Sequence, residues 1–303
     1  MNNLPFAKPG QFYKGNLHTH STNSDGRISV EARCASSTGS TVTTSCPSPI
    51  TFWKTTAIRT PMRRLTTRRI SSPCAGRNCT RANPVLGELW HILANGLPLD
   101  FARPTPDETG PEIAQRALAT GAFVTVAHPA WYNLSEEDVI SLSDTHAIEI
   151  INGISADHSD KIDSVYMLDV MLARGYRFTA LATDDAHFKP DFRDTLRGWT
   201  WVKSEALTPE AILAALKRGD FYSSTGPLIH DVQVTPGETI KIRCSPCESV
   251  FVTGKGSWAA YKHGHNITEV ELSIRSLKSP TAVSPCAMLM AGARGRTRSG
   301  SRR

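Results

Sequence analysis

Between residues 89 and 227, short apolar runs alternate with helix-like segments, and this alternation constrains the fold more than any other feature of the chain. Residues 89–94, 123–127, 147–151, 178–182 and 199–202 read as strands, rich in Val, Ile, Phe and Trp. Between them, residues 112–118 read as a helix with Glu112 in its first turn and Gly121 just past its end. Ser135 caps a second helix that opens on Glu136, Glu137 and Asp138. Residues 160–174 form a third, with apolar positions mostly on helical spacing and Gly175 as its stop, and Thr208-Pro209-Glu210 opens a fourth that runs to Lys217. Residues 12–17 supply one more strand before the series. Such alternation predicts an α/β fold of parallel strands with helices packed outside, closed as a barrel. After Ile229 the pattern changes to Val232/Val234, Ile240/Ile242, Val250/Val252 and Val270/Leu272/Ile274, which predicts short antiparallel strands in a small β appendage. The division expected is a barrel over 1–228, the appendage over 229–280 and a basic tail over 281–303.

Polar residues gather where the strands stop. His18 and His20 follow the first run and lie two apart, so a strand period puts both imidazoles on one face. His91, His128, Asn152, Asp185 and His187 likewise sit at or near the C-terminal ends of apolar runs, which in a barrel of parallel strands share the face that presents ligands. Asp25 lies on the turn Asn23-Ser24-Asp25-Gly26, where chain reversal returns its carboxylate toward the two histidines. Histidine suits Zn, Mn or Fe, and Asp25 and Asp185 can bridge ions. The seven groups His18, His20, Asp25, His91, His128, Asp185 and His187 exceed what one tetrahedral ion needs, so two or three divalent ions are expected.

The net charge of +6 suggests nucleic acid until its distribution is considered. Residues 32–87 contain no Asp or Glu but nine Lys and Arg, and residues after Pro280 contain no acid but five Arg. These fourteen charges exceed the net +6, so the rest of the chain carries −8. The arginine-rich stretch has little aromatic interleaving, so a nucleic-acid partner is not expected. Residues 33–86 show neither a period of two nor one of 3.6. They start and stop abruptly inside a well-patterned chain, as an out-of-frame translation of GC-rich DNA would, and 281–303 have the same character. Both segments are read as non-native or disordered. Five of the seven cysteines fall in them; Cys244 and Cys247, with no second pair at zinc-ribbon spacing, read as small residues in a strand-rich region. No basic-then-apolar leader and no run of about 18 apolar residues is present, so a cytoplasmic protein without a membrane partner is expected.

The arrangement His18-x-His20 followed by Ser24-Asp25-Gly26 resembles the opening motif of the PHP superfamily, the polymerase and histidinol phosphatase type of metal-dependent phosphoesterase. The resemblance extends to His91 in Trp-His-Ile-Leu, His128 in Ala-His-Pro and Asp185-Ala-His187, over residues 12–32 and 87–227. It implies a distorted (β/α)7 barrel and hydrolysis of a small-molecule phosphate ester by water activated on two or three divalent ions. His128 or His187 would protonate the leaving alcohol, and Arg197, just ahead of a strand, is the candidate phosphate clamp. The run Phe221-Tyr222-Ser223-Ser224-Thr225-Gly226-Pro227 is similar to the branch that includes carbamate-hydrolysing enzymes, so a carbamate, amide or carbonyl ester is the alternative substrate. Two elements of the family pattern, a Thr-Asp-His and a Gly-x-Glu, are absent. Both belong in 33–86, where the chain has no His and no Glu, so an inactive chain is a further alternative; Glu88, three residues before His91, is the nearest glutamate.

Overall fold

In the computed structural model, the structure describes residues 4–22, 24–29, 89–98, 100–105 and 108–277, together with the backbone of three short strands at 51–53, 67–71 and 290–291. The remaining residues of 33–86 and 281–303, and Glu88, lie outside the described residues.

Among the described residues thirteen strands run in chain order: β1 (Gln11–Asn16), β2 (Thr51–Trp53), β3 (Thr67–Ser71), β4 (His91–Asn95), β5 (Phe123–Val126), β6 (Ala147–Asn152), β7 (Thr179–Thr183), β8 (Trp199–Ser204), β9 (Phe221–Ser224), β10 (Ile229–Thr235), β11 (Thr239–Thr253), β12 (Ala259–Ser273) and β13 (Met290–Ala291). The α-helices among these residues are α1 (Gly110–Ala119), α2 (Glu136–Ile140), α3 (Gly153–Ser159), α4 (Val165–Ala173) and α5 (Pro209–Lys217). The mixed α/β character agrees with the sequence pattern, but the closed parallel barrel does not form among the described residues. Two five-stranded sheets take its place, ordered β3-β4-β5-β6-β7 and β13-β9-β8-β1-β2. Only β5-β6-β7 and β13-β9 pair in parallel; the other neighbours are antiparallel.

The two sheets close on each other through side chains and one short parallel backbone bridge, Thr19 to Ala186, where a barrel would use full ladders. Ser223 Oγ accepts from Ala182 N at 3.0 Å and donates to Ala180 O at 2.8 Å, joining β9 to β7. On the other side Asn95 Nδ2 donates to Leu17 O at 3.2 Å. Between them lies an apolar layer of Leu17, Phe123, Leu181, Val202 and Ile212, all essentially inaccessible. At about 25 cal/mol per Å² of apolar area removed from water, this burial holds the sheets together far more strongly than the few hydrogen bonds.

The helices form for local reasons that the sequence displays. Thr109 and Ser135 each cap a helix reciprocally with Glu112 and Asp138, satisfying otherwise orphaned amides. α1 buries Ile113, Ala114 and Ala117 against β4 and β5, and α4 buries Leu168 and Met171 against β6. The helix expected over 160–174 starts only at Val165. Asp160 sits in the left-handed region with φ 57° and ends α3, while Ile162 O accepts from Asn152 N at 3.2 Å and Ser164 N donates to Ile150 O at 2.8 Å. Pairing with the end of β6 therefore keeps residues 161–164 out of the helix.

The β10-β11-β12 sheet is antiparallel, as expected, but β11 and β12 each run 15 residues instead of being short. Its inner face, with Val232, Ile240, Ile242, Val270 and Leu272, packs on Trp201 and Tyr222 of β8 and β9. Cys244 and Cys247 lie 3.8 Å apart, Sγ to Sγ, at a register shift in β11; burial pushes the Cys244 thiol up to about 11, away from the thiolate a redox motif needs.

Candidate metal centre

The site forms where β1, β4, β5, β6 and β7 end or begin beside one another. After β1 the chain continues extended, and Thr19 bridges in parallel to Ala186, so His18 and His20 flank one bridge position and face the same way. His20 N donates to Ala186 O at 2.8 Å and Asp185 N to His18 O at 3.0 Å, which fixes Asp185 and His187 against the two histidines. His128 follows β5. His91 is the exception to the expected rule, because it opens β4 rather than closing it. It still reaches the site because β4 runs antiparallel to β5, which places its start beside the end of β5, where Ala127 N donates to His91 O at 3.1 Å.

All seven residues expected as ligands come together. Three interlocking groups of candidate ligand atoms, each within 4.8 Å of one another, are His18/His91/His128, His18/His20/Asp185 and His20/Asp25/His187. His18 and His20 each belong to two groups. All seven except Asp25 are buried, and Asp25 is half exposed at the mouth. His128 and Asp185 adopt positive φ, 24° and 51°, sparsely populated for non-glycine residues and characteristic of strained functional positions.

The contacts within the cluster fit a metal better than a hydrogen-bond network. His18 Nε2 and His20 Nε2 lie 2.9 and 2.7 Å from the same atom, Asp185 Oδ1. Yet neither His18 Nε2 nor Asp185 Oδ1 makes a hydrogen bond of acceptable angle, and the buried His128 Nδ1 has no hydrogen-bond partner. Buried polar atoms left in this state cost on the order of 1–3 kcal/mol each unless something binds them, and lone pairs converging from several directions suit a cation.

Glu149 is the main residue that sequence reasoning missed. It lies in β6, wholly buried, with Oε1 2.9 Å from His18 Nδ1 and Oε2 accepting from His128 N at 2.9 Å. Thr183 Oγ1 also donates to Glu149 Oε1. The available signal was a lone carboxylate inside the apolar run Ala-Ile-Glu-Ile-Ile. Asn152, noted only as a strand end, bridges the two buried carboxylates, Nδ2 donating to Glu149 Oε2 at 3.1 Å and to Asp185 Oδ2 at 3.2 Å. Asp194 and Asp184 were also overlooked as supports. Asp194 accepts from His187 N at 2.6 Å, and Asp184 accepts from Leu196, Arg197 and Gly198 amides at 2.9, 2.6 and 3.0 Å.

Burial and charge divide the titratable groups. Burial alone would lower His18, but Asp185 and Glu149 on its two nitrogens raise it to about 10. Burial lowers His128 to about 4, so it is a neutral imidazole. Burial opposes ionisation of Asp185, yet the adjacent His18 and His20 hold it well below the usual carboxylate range. Hydrogen bonds from His187 and His20 hold Asp25 low as well. Burial pushes Asp184 up to about 6 against its three amide donors.

A cavity of about 200 Å³ opens above the cluster, lined on its inner side by His20, Asp25, His91, Asp185 and His187. Arg197 is not among its lining residues; its side chain is exposed and its stem sits beside Gly153. The cation on the wall is Lys189. The run from Phe221 to Pro227 does not line the cavity either. Its Ser223 sutures the sheets, and Ser224 Oγ accepts from Gly226 N at 3.0 Å and donates to Pro227 O at 2.6 Å, shaping the turn out of β9.

The fold and site together define a mixed α/β protein with a buried histidine–aspartate centre able to hold metal ions. Among solved structures the chain is similar to a two-domain protein containing a predicted PHP-like metal-dependent phosphoesterase from Bacteroides vulgatus ATCC 8482, at 14% identity over 88% of each chain with a TM-score of 0.45. No protein-family model and no curated protein matches the sequence. Among the described residues no helix is long and apolar enough to cross a membrane.

Proposed function

We propose that this chain is a PHP-like metal-dependent phosphoesterase acting on a small phosphate ester in the cytoplasm. The observation that carries the reading is the convergence of His18, His20, Asp25, His91, His128, Asp185 and His187 into three groups sharing His18 and His20. Those seven residues would hold two or three divalent ions, Zn, Mn or Fe, with His18 and His20 common to neighbouring sites. Ions bound there supply an activated water and neutralise charge on the phosphoryl group.

The chain's own residues do the rest. Glu149 accepts a hydrogen bond from His18 Nδ1–H and so presents Nε2 to the cluster, as buried carboxylates behind ligating histidines do. Neutral His128 offers a lone pair without first losing a proton. Lys189 meets the phosphate oxygens at the cavity wall and supersedes Arg197 as the candidate clamp. His187 lines the cavity, and its Nδ1 lies 2.8 Å from Asp185 O, which leaves Nε2 facing the cluster; where the other six residues hold the ions, that Nε2 would deliver the proton to the leaving oxygen. Water oxygen bonds to phosphorus, the phosphorus–oxygen bond to the alcohol breaks, and the alcohol leaves with the proton.

Purified full-length chain supplied with Mn or Zn should release phosphate from a phosphate-monoester panel, and a chelator should abolish the release. Turnover of a carbamate and carboxyl-ester panel with none of the phosphate panel overturns the reading in favour of the carbonyl-ester alternative. No turnover of either panel and no bound metal favours the inactive chain, which the absence of His and Glu from 33–86 motivates. We read 33–86 and 281–303 as out-of-frame replacements of native sequence. The nucleotide sequence across 32–87 tests this directly. Another frame that spells a Thr-Asp-His and a Gly-x-Glu supports it, and a single frame whose residues close relatives share contradicts it.

A further inference from the structure

Outside the candidate ligands, the cavity wall is built from aromatic rings. Tyr132 and Trp131 lie on the tight turn after His128, where Trp131 N donates to His128 O at 2.9 Å. Their rings stack 5.5 Å apart at 27°, and the Tyr132 ring stands edge-on to His128 at 4.7 Å. Trp131 meets His158 of α3 at 6.2 Å, His158 meets Phe192 edge-on at 4.5 Å, and Phe192 meets His187 at 6.2 Å. The rings therefore form a continuous collar whose two ends rest on His128 and His187. Ile154, buried, lines the same cavity, and Lys189 Nζ lies 5.0 Å from the centre of the Phe192 ring.

Four rings packed at the mouth of a hydrolytic site are more than phosphate recognition requires, since a phosphate needs cations and amides. Their faces and edges suit another planar ring, which gains from offset or edge-to-face packing beyond the area it buries. Size narrows the ligand further. An apolar cavity of about 150 Å³ accommodates one benzene, so the cavity of about 200 Å³, open at its mouth, has room for one ring.

We propose that the collar of Tyr132, Trp131, His158 and Phe192 is a specificity slot for a single planar aromatic or heteroaromatic ring one short linker from the phosphate, with Lys189 placed between ring and phosphate. The slot rests on the phosphoesterase reading for the phosphate half of the ligand. Its ring half stands on the collar alone.

Benzyl phosphate and cyclohexylmethyl phosphate test it, because both release a primary alcohol of similar size and only the first carries a flat ring. The slot predicts a kcat/KM ratio on the order of tenfold in favour of benzyl phosphate, the scale of one or two ring contacts. Trp131→Leu and Phe192→Leu, which retain apolar volume, should each bring the ratio toward unity with the melting temperature held. Equal kcat/KM for the two esters, or a preference that survives both substitutions, overturns it. Calorimetric binding of benzylphosphonate against cyclohexylmethylphosphonate gives a second reading that needs no turnover. Ring-selective binding that depends on Trp131, in a protein that hydrolyses no phosphate ester, leaves the slot standing while the phosphoesterase reading falls; equal binding of the two phosphonates removes the slot.

Discussion

Glu149 Oε1 lies 2.9 Å from His18 Nδ1, and both side chains are buried to within a few per cent of complete inaccessibility. That pairing fixes which face of the His18 imidazole looks into the cluster. Glu149→Gln keeps the shape but removes the charge that aligns His18, so metal affinity should drop by about 10–100-fold, the usual cost of disturbing a carboxylate behind a ligating histidine. Titration against a competing chelator checks this. Wild-type affinity in a folded Glu149→Gln protein contradicts the assigned role.

The same pair makes metal binding proton-linked. Without metal, His18 is raised to about 10, so the imidazolium persists through neutral pH. The sign follows from the raised value: the charge stabilises the metal-free fold fully below the ordinary histidine pKa of about 6.5, and that contribution is lost as pH rises through 10. Metal must displace the Nε2 proton, so apparent affinity should rise about tenfold per pH unit between pH 6.5 and 9 for each proton released. Calorimetry in two buffers of different ionisation heat measures that release. Affinity that does not vary over this range, with no proton released, contradicts the linkage.

The candidate ligands were legible because they end or flank apolar runs, where a polar residue is conspicuous. His18, His20, His128, Asp185 and His187 sit where that rule puts them, and His91 joins them although its strand runs the opposite way. Glu149 was not legible, since it stands within a buried strand and is recognised only once His18, distant in sequence, is seen against it. Strand and helix positions were readable from period and caps. Strand direction was not, because an antiparallel neighbour such as β4 is buried along its whole length, with an apolar Ile-Leu-Ala centre, like a parallel one. For that reason the alternation suggested a parallel barrel where the described residues form two sheets, joined by side chains and the short Thr19–Ala186 bridge.

Ser223 makes two of the hydrogen bonds across that junction. Ser223→Ala removes one hydroxyl that accepts from Ala182 N and donates to Ala180 O, leaving one buried and one partly buried backbone group without it. The expected loss is about 2–4 kcal/mol of unfolding free energy, since a stranded buried polar group costs roughly 1–3 kcal/mol. Denaturant unfolding of the metal-loaded protein measures it. A loss below about 0.5 kcal/mol would show that the suture contributes little.

Gly26 explains why the opening motif ends in glycine. A Cβ there would fall 2.6 Å from His20 C and from Ser21 N, backbone atoms that cannot yield without moving His20. Gly26→Ala should therefore displace His20 and Asp25 together and lower turnover by about a hundredfold, the scale of a 1 Å misplacement. Steady-state kinetics with parallel metal analysis is the check, and unimpaired turnover and metal content would contradict it.

The most direct measurement is the metal content of the purified full chain after equilibrium dialysis against Mn or Zn, set beside the His20→Ala and His91→Ala variants. With His20 in two of the three groups and His91 in one, we predict about two or three ions per folded wild-type chain, and a larger loss from His20→Ala than from His91→Ala. Less than about half an ion per folded wild-type chain, or equal retention by both variants, contradicts a metal centre built on His18 and His20.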